Sequence, residues 1–151
     1  MVVPMIVGTY PGAMFWNLSH DVGPGCPNQA ADVELVRLGY YCYARHQEGN
    51  KTPALVAQAL SIQTTGGFDD ILAAMIVAHQ NARGGTQDRK ISTIKNASAS
   101  YHDRHGKHGM ILNALVWNIV ASMQAEFPRI DKHPNAGPAL KAAVRLSCLI
   151  S

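Results

Sequence analysis

Charge is what this sequence has least of. Of its 151 residues, 15% are Asp, Glu, Lys or Arg, against about 25% in an ordinary soluble domain. The hydrophobic share, 47%, is ordinary by comparison. A surface this poor in charge is easiest to understand if part of it is covered by a partner. The 13 Lys and Arg residues outnumber the 10 Asp and Glu residues, but they are scattered, and Arg89-Lys90 is the one adjacent pair. Nucleic-acid binders carry a basic stripe or cluster. None is present, so a nucleic-acid partner is not expected.

Cysteine is scarce too. Cys26, Cys42 and Cys148 are odd in number, and no two stand at C-x-x-C spacing. A disulfide scaffold needs a denser, even set in a shorter chain. Free thiols are expected, with Cys42 and Cys148 as small core hydrophobes and Cys26 exposed in a Gly/Pro loop. Long hydrophobic runs are missing as well. The uncharged stretch Met110–Ala125 is too short to span a bilayer and holds Asn113, Asn118, Ser122 and Gln124. Near the N-terminus no basic residue precedes the apolar run, which Pro4 and Gly8 interrupt, so no signal peptide is read there. Synthesis in a bacterial cytoplasm, with no membrane partner, is the expectation.

What is present is mostly helical patterning. Val2–Tyr10 is β-branched and apolar and reads as an extended arm or edge strand. Met14, Phe15, Trp16 and Leu18 form an apolar cluster that should pack on the main body. Gly23-Pro24-Gly25-Cys26-Pro27-Asn28 must be a loop. A first helix follows over about 29–45, with Val33, Val36, Tyr40 and Tyr43 on one face. Thr52-Pro53 opens a short second helix, Thr as N-cap and Pro at the first helical position. A third helix, about 69–83, buries Phe68, Leu72, Met75, Ile76 and His79. Lys90–Tyr101 suggests a strand, and Ser98–His102 with His108–Leu112 a small hairpin. The fourth helix, about 111–126, keeps Leu112, Leu115, Val116, Ile119, Val120, Met123 and Phe127 at helical spacing. It has no charge before Glu126, and a helix apolar nearly all round is buried nearly all round. A last helix starts near Gly137-Pro138.

Chemistry is thinly signalled. His102, His105 and His108 could hold a metal only if their loop curled. Their spacing fits neither a helical H-E-x-x-H site nor one strand face, and Arg104 and Lys107 would repel a dication. A solvated hairpin tip is expected, and no metal or cofactor. His79 reads as a core histidine. Asp69-Asp70 reads as the stabilised start of a helix rather than an acid/base pair, and no carboxylate pair marks a glycosidase cleft. There is no G-x-S-x-G elbow and no cysteine in a basic helical setting. No catalytic residue is assigned.

Two segments carry a resemblance. Ala31-Asp32-Val33-Glu34-Leu35-Val36-Arg37, after the Gly-rich, Asn-containing lead-in Val22–Asn28, is similar to the D-V-x-x-V-Q element of peptidoglycan-binding-like domains. Gly66, Phe68, Ala74, Ile76, Ala78 and Gln80 fall in register with the later D-G-x-F-G-x-x-T-x-x-A-V-x-x-F-Q element. Gly85–Ile91 looks like the D-G-x-I/V turn that closes such modules. The likeness spans about Val22–Ile94, in the form found in phage and contractile-secretion-system proteins. Thr65, Asp69, Leu72 and His79 depart from the pattern. Aliphatic-for-aliphatic changes leave the helical core intact, but the loss of the pattern's Asp (Thr65 here) and Thr (Leu72 here) removes polar turn groups that would order the loop beside the usual ligand groove.

The resemblance implies a mainly α fold. A peptidoglycan-binding-like helical core (22–96) would carry an N-terminal extended arm (1–21). A small hairpin and a C-terminal helical extension (97–151) would pack on it in one compact domain. The function it implies is non-enzymatic. The chain would be a structural component of a bacteriophage virion or phage-tail-like assembly: an adaptor, fibre anchor or decoration subunit. Its partners would be other protein subunits or further copies of itself, met through Val2, Val3, Met5, Ile6, Val7, Tyr10 and Trp117. The alternative is a wall-targeting or lysis-system module holding peptidoglycan in a groove of Tyr40, Tyr43, Gly66, Gly67, Phe68 and Asp69.

Overall fold

Helix α1, Ala30–Arg45, is the axis of the molecule. Residues 32–40 are buried without a break, although the apolar periodicity suggested a single buried face. The computed structural model describes residues 3–6, 14–45, 52–83, 87–92, 111–122 and 130–143. Within them the fold is mainly helical. A strand β1 (Val3–Ile6) pairs antiparallel with β2 (Met14–Asn17), running from Val3 opposite Asn17 to Ile6 opposite Met14. The arm therefore folds back on its own chain, and β2 lies against α4 (Ile111–Ser122).

The short helix α2, Pro53–Ala59, begins at a proline whose missing N–H costs nothing in the first turn. Thr52 stands at the N-cap in an extended conformation, yet its side chain makes no capping hydrogen bond. Its carbonyl takes the Val56 N–H at 3.0 Å instead. Helix α3, Asp70–Arg83, is capped by a side chain: Asp69 Oδ1 accepts the Leu72 N–H at 2.9 Å. Leu72, Met75 and Ile76 are completely buried, whereas Phe68 and His79, expected on the same face, are half-buried.

Helix α4 packs along α1. Leu112, Leu115, Val116 and Ile119 are buried, as its uncharged sequence required. Contact is close because residue 39 is glycine: a Cβ there would stand 2.7 Å from the Leu115 Cβ. The helix starts at Ile111, so Ile111 and Leu112 are helical rather than part of a hairpin. The other residues of that expected hairpin, 98–102 and 108–110, lie outside the described residues. So do 93–101 of the expected strand. Its described part forms one antiparallel bridge, Ile91 to Val22. After α4 come a 3-10 turn, Ile130–Lys132, and a last helical stretch over 138–143.

Candidate functional site

Three charged side chains are buried on α1: Asp32, Glu34 and Arg37. Each holds a different peripheral segment. Asp32 accepts the Ser19 N–H at 2.9 Å, the Ser19 hydroxyl at 2.7 Å and the His20 N–H at 3.1 Å. It thereby fixes the chain between β2 and α1. Glu34 Oε1 accepts the Leu140 N–H at 2.9 Å, which ties the last helical stretch to α1 across the fold. Arg37 donates through Nη1 to the Gln63 carbonyl at 3.1 Å. Its Nε and Nη2 reach the Gly67 carbonyl at 3.2 and 2.6 Å, and Nη2 also meets Asp69 Oδ2 at 2.9 Å. A buried charge is tolerated only when it finds hydrogen-bonding partners; Asp32 and Arg37 have several each, and Glu34 has the Leu140 N–H.

The residues singled out for a wall-binding groove take their places around these anchors. Gly66 (φ +123°) packs on the guanidinium, where a Cβ would lie 3.2 Å from Arg37 Cζ. The Gly67 carbonyl is turned into Arg37, and half-buried Phe68 packs against the core. Asp69 caps α3 and pairs with Arg37. The Leu72 N–H, and after it the guanidinium, hold its carboxyl below the usual range against the opposing pull of partial burial. Tyr40 is buried, and its hydroxyl meets His79 Nδ1 at 2.9 Å with the rings edge to face. Tyr43 is half-buried and its ring stacks with that of His79, centroids 6.4 Å apart. His79, read from the sequence as a core histidine, is half-buried between these two rings and hydrogen-bonded to one of them. The set forms two separate arrangements, one on Arg37 and one on His79.

A second anchor closes the unit. Gln80 is buried near the end of α3. Its amide donates to Asp88 Oδ1 at 2.9 Å and to the Lys90 carbonyl at 3.0 Å, and its Oε1 accepts the Arg89 N–H at 2.8 Å. The turn so held is joined to the lead-in loop: Val22 and Ile91 exchange both backbone hydrogen bonds, at 3.0 and 2.8 Å. Asn28 bonds the Gly23 backbone twice, and Lys90 approaches Asp21 at 3.7 Å. Gly23 (φ +157°) permits this contact, since a Cβ would stand 2.6 Å from the Lys90 Cβ. Cys26, half-buried here, has its thiol pKa raised, first by burial and then by Asp21. A raised pKa makes it a poor nucleophile at neutral pH.

One constellation brings nucleophile-type side chains to a histidine. Cys42 on α1, Ser122 at the end of α4 and His133 after the 3-10 turn meet in the interior. Ser122 Oγ is 2.9 Å from His133 Nε2, and Cys42 Sγ is 3.3 Å from Ser122 Oγ and 3.7 Å from His133 Nε2. No local pattern marks it, because Cys42 stands 80 residues before Ser122. The proton's position decides its meaning. His133 Nδ1 accepts the Asn135 N–H at 3.1 Å, so Nε2 carries the hydrogen and donates to Ser122, whose hydroxyl donates to the Ile119 carbonyl at 2.7 Å. In that tautomer Nε2 has no lone pair with which to accept a proton or hold a metal, and a metal-bound histidine donates its other N–H rather than accepting one. The cluster is a buried polar tie between α1, α4 and the chain after them.

Of the expected partner contacts, Val3, Met5 and Ile6 lie in β1 and Trp117 in α4. Val2, Val7 and Tyr10 fall outside the described residues, as do His102, His105 and His108. Among the described residues no three His, Cys, Asp or Glu side chains gather as a metal site, and no helix is long and apolar enough to cross a membrane. No family model, no curated protein and no solved structure matches this chain.

Proposed function

We propose that this chain is a non-enzymatic structural subunit of a bacteriophage virion or phage-tail-like assembly, built on a peptidoglycan-binding-like core and acting through protein–protein contacts. The observation that carries the reading is the convergence at Gln80. The lead-in loop 22–28, the end of α3 and the closing turn 88–91 carried separate pieces of the resemblance, and they meet there in one hydrogen-bonded unit. One further observation supports a structural over a ligand-processing role: the Tyr40 hydroxyl, the Gly67 carbonyl and the half-exposed Asp69 carboxylate are all engaged by side chains of this same chain. Light scattering on the full chain at several concentrations, and on a chain lacking residues 1–10, tests the reading. A stable oligomer that falls to a folded monomer without the arm is expected. A full chain monomeric at every concentration overturns it.

Peptidoglycan binding is the second reading. It is favoured by the half-exposed Tyr43 ring stacked on His79, a flat surface of the kind sugar rings pack on. Sedimentation with insoluble sacculi tests it: retention that Tyr43→Ala abolishes would replace the first reading.

A further inference from the structure

The chain after α4 is laid back along α1 in the opposite direction. His133 meets Cys42 at 3.7 Å, Asn135 Oδ1 accepts the Tyr41 hydroxyl at 3.5 Å, and the Leu140 N–H is held by Glu34 at 2.9 Å. Rising numbers on this strap thus meet falling numbers on α1. Ile130, His133, Ala136 and Leu140 are buried, so the strap is seated in the fold. At its far end the last helical stretch, 138–143, begins after Gly137, whose carbonyl accepts the Lys141 N–H at 3.0 Å. Gly137 stands at the N-cap position and has no side chain to cap with. The Glu34 carboxylate takes that place from α1, and it fills the space that a Cβ at 137 would need.

At the near end the fastening is His133, and its geometry suits one protonation state. The ring is buried, with Nδ1 accepting the Asn135 N–H at 3.1 Å and Nε2 2.9 Å from the Ser122 hydroxyl. An imidazolium carries a hydrogen on both nitrogens and can only donate. Protonation therefore sets the Nδ1 hydrogen against the Asn135 N–H and places a charge in the interior. The ring is faced by Cys42 from α1 and Ser122 from α4, with Tyr41 of α1 on Asn135 beyond it and the exposed Lys132 just before it in the chain. Glu34 is the titratable group that faces the far end of the strap. The seated strap binds no proton at Nδ1. A released His133 meets water and takes one up as the pH falls below about 6.5, where an exposed imidazole titrates. Release is thus favoured on the acid side and seating on the neutral side.

We propose that the strap 133–143 is a pH-sensitive catch, seated on α1 while His133 is neutral and released by mild acidification, which bares the side of α1 around Glu34, Tyr41 and Cys42. Hydrogen exchange on the full chain tests it, read as protection relative to each amide's intrinsic rate at the same pH. Between about pH 7.5 and about pH 5.5, protection of amides in 135–143 should fall about tenfold, as a single imidazole taking up its proton on release requires. Amides 72–80 of α3 should keep theirs. His133→Asn removes the titration and keeps an acceptor, because an Asn side chain bonds the backbone N–H two residues on. In that variant the strap should be equally protected at both pH values. Unchanged protection in the natural chain, a fall shared by α3, or a fall that persists in His133→Asn overturns the proposal. If the variant does not fold, nitrogen NMR of the His133 ring in the natural chain decides. Proton uptake at Nδ1 should coincide with release of the strap, and a strap that opens while Nδ1 stays unprotonated overturns the catch.

Discussion

Helices α1 and α4 are both buried and packed on each other, but they reach that state by opposite means. Helix α4 has no charge in its twelve residues, and its burial is what an apolar sequence does in water. Helix α1 places Asp32, Glu34 and Arg37 among its buried residues. Asp32 and Glu34 lie on nearly opposite sides of the helix, about 200° apart at 3.6 residues per turn, so no polar stripe could face solvent. Burial of α1 is possible only because 19–20, 63–69 and 140 supply a partner to each charge. One helix thus acts as filler and its neighbour as a fastening. They should therefore fail differently when damaged.

The largest effect is expected where the fastening is cut. Asp32→Ala leaves two backbone N–H groups and the Ser19 hydroxyl without their acceptor, at a cost of about 3 kcal/mol or more, since hydrogen bonds to a charged group contribute about 1.5–3 kcal/mol each and are not additive. Asp32→Asn should recover only part of this. Leu115→Ala, the corresponding cut in α4, removes packing alone and should cost about 2–5 kcal/mol with its cavity. Urea unfolding measures both. An Asp32→Ala variant as stable as the natural chain would break the distinction between the helices.

The seam between them sharpens it. Gly39→Ala drives a methyl onto Leu115, at about 1–3 kcal/mol for overpacking, which alanine's better helix propensity offsets by about 1 kcal/mol. Combined with Leu115→Ala, the added methyl has room, so the double variant should be more stable than the sum of the two losses implies. Strict additivity would mean that the close approach at Gly39 is unimportant. Arg89→Gly works in the other direction. It relieves an arginine held in the left-handed region (φ 65°) and should raise stability by about 1 kcal/mol, read in the same urea titration.

Much of the secondary structure was legible because it is local. The starts of α2 and α3 followed from Pro53 and Asp69, and α4 from its unbroken apolar spacing. What escaped reading acts across the chain. Arg37 meets Gly67 thirty residues on, Tyr40 meets His79 and Cys42 meets His133, and a helical periodicity carries no record of such pairs. The centrality of α1 was missed for the same reason. Its charges look like a solvated pattern until their partners are known, and the sign that could have been used was the lack of any face collecting them. The groove residues were brought only partly together, since Tyr40 and Arg37 point their neighbours' polar groups inward from successive turns of one helix.

The smallest effect concerns pH and falls on the exposed half of the Arg37 fastening. Asp69 has its folded pKa lowered from the ordinary 3.8, by the Leu72 N–H first and by Arg37 as well. A carboxyl lowered on folding contributes stability that is complete above its unfolded value and is lost as pH falls through its folded value. The loss should therefore begin below about pH 4 and continue downward, with neutral pH unaffected. Its side chain is 50% accessible, so solvent screens the pair and the contribution is modest. Asp69→Asn cannot titrate. Urea midpoints of the two proteins should differ most at pH 5–7 and converge as the pH drops toward 2.5, with Arg37 still holding the Gly67 and Gln63 carbonyls in both. A gap that stays constant over this range would show that the charge of Asp69 adds nothing to stability, either through the Leu72 N–H or through Arg37.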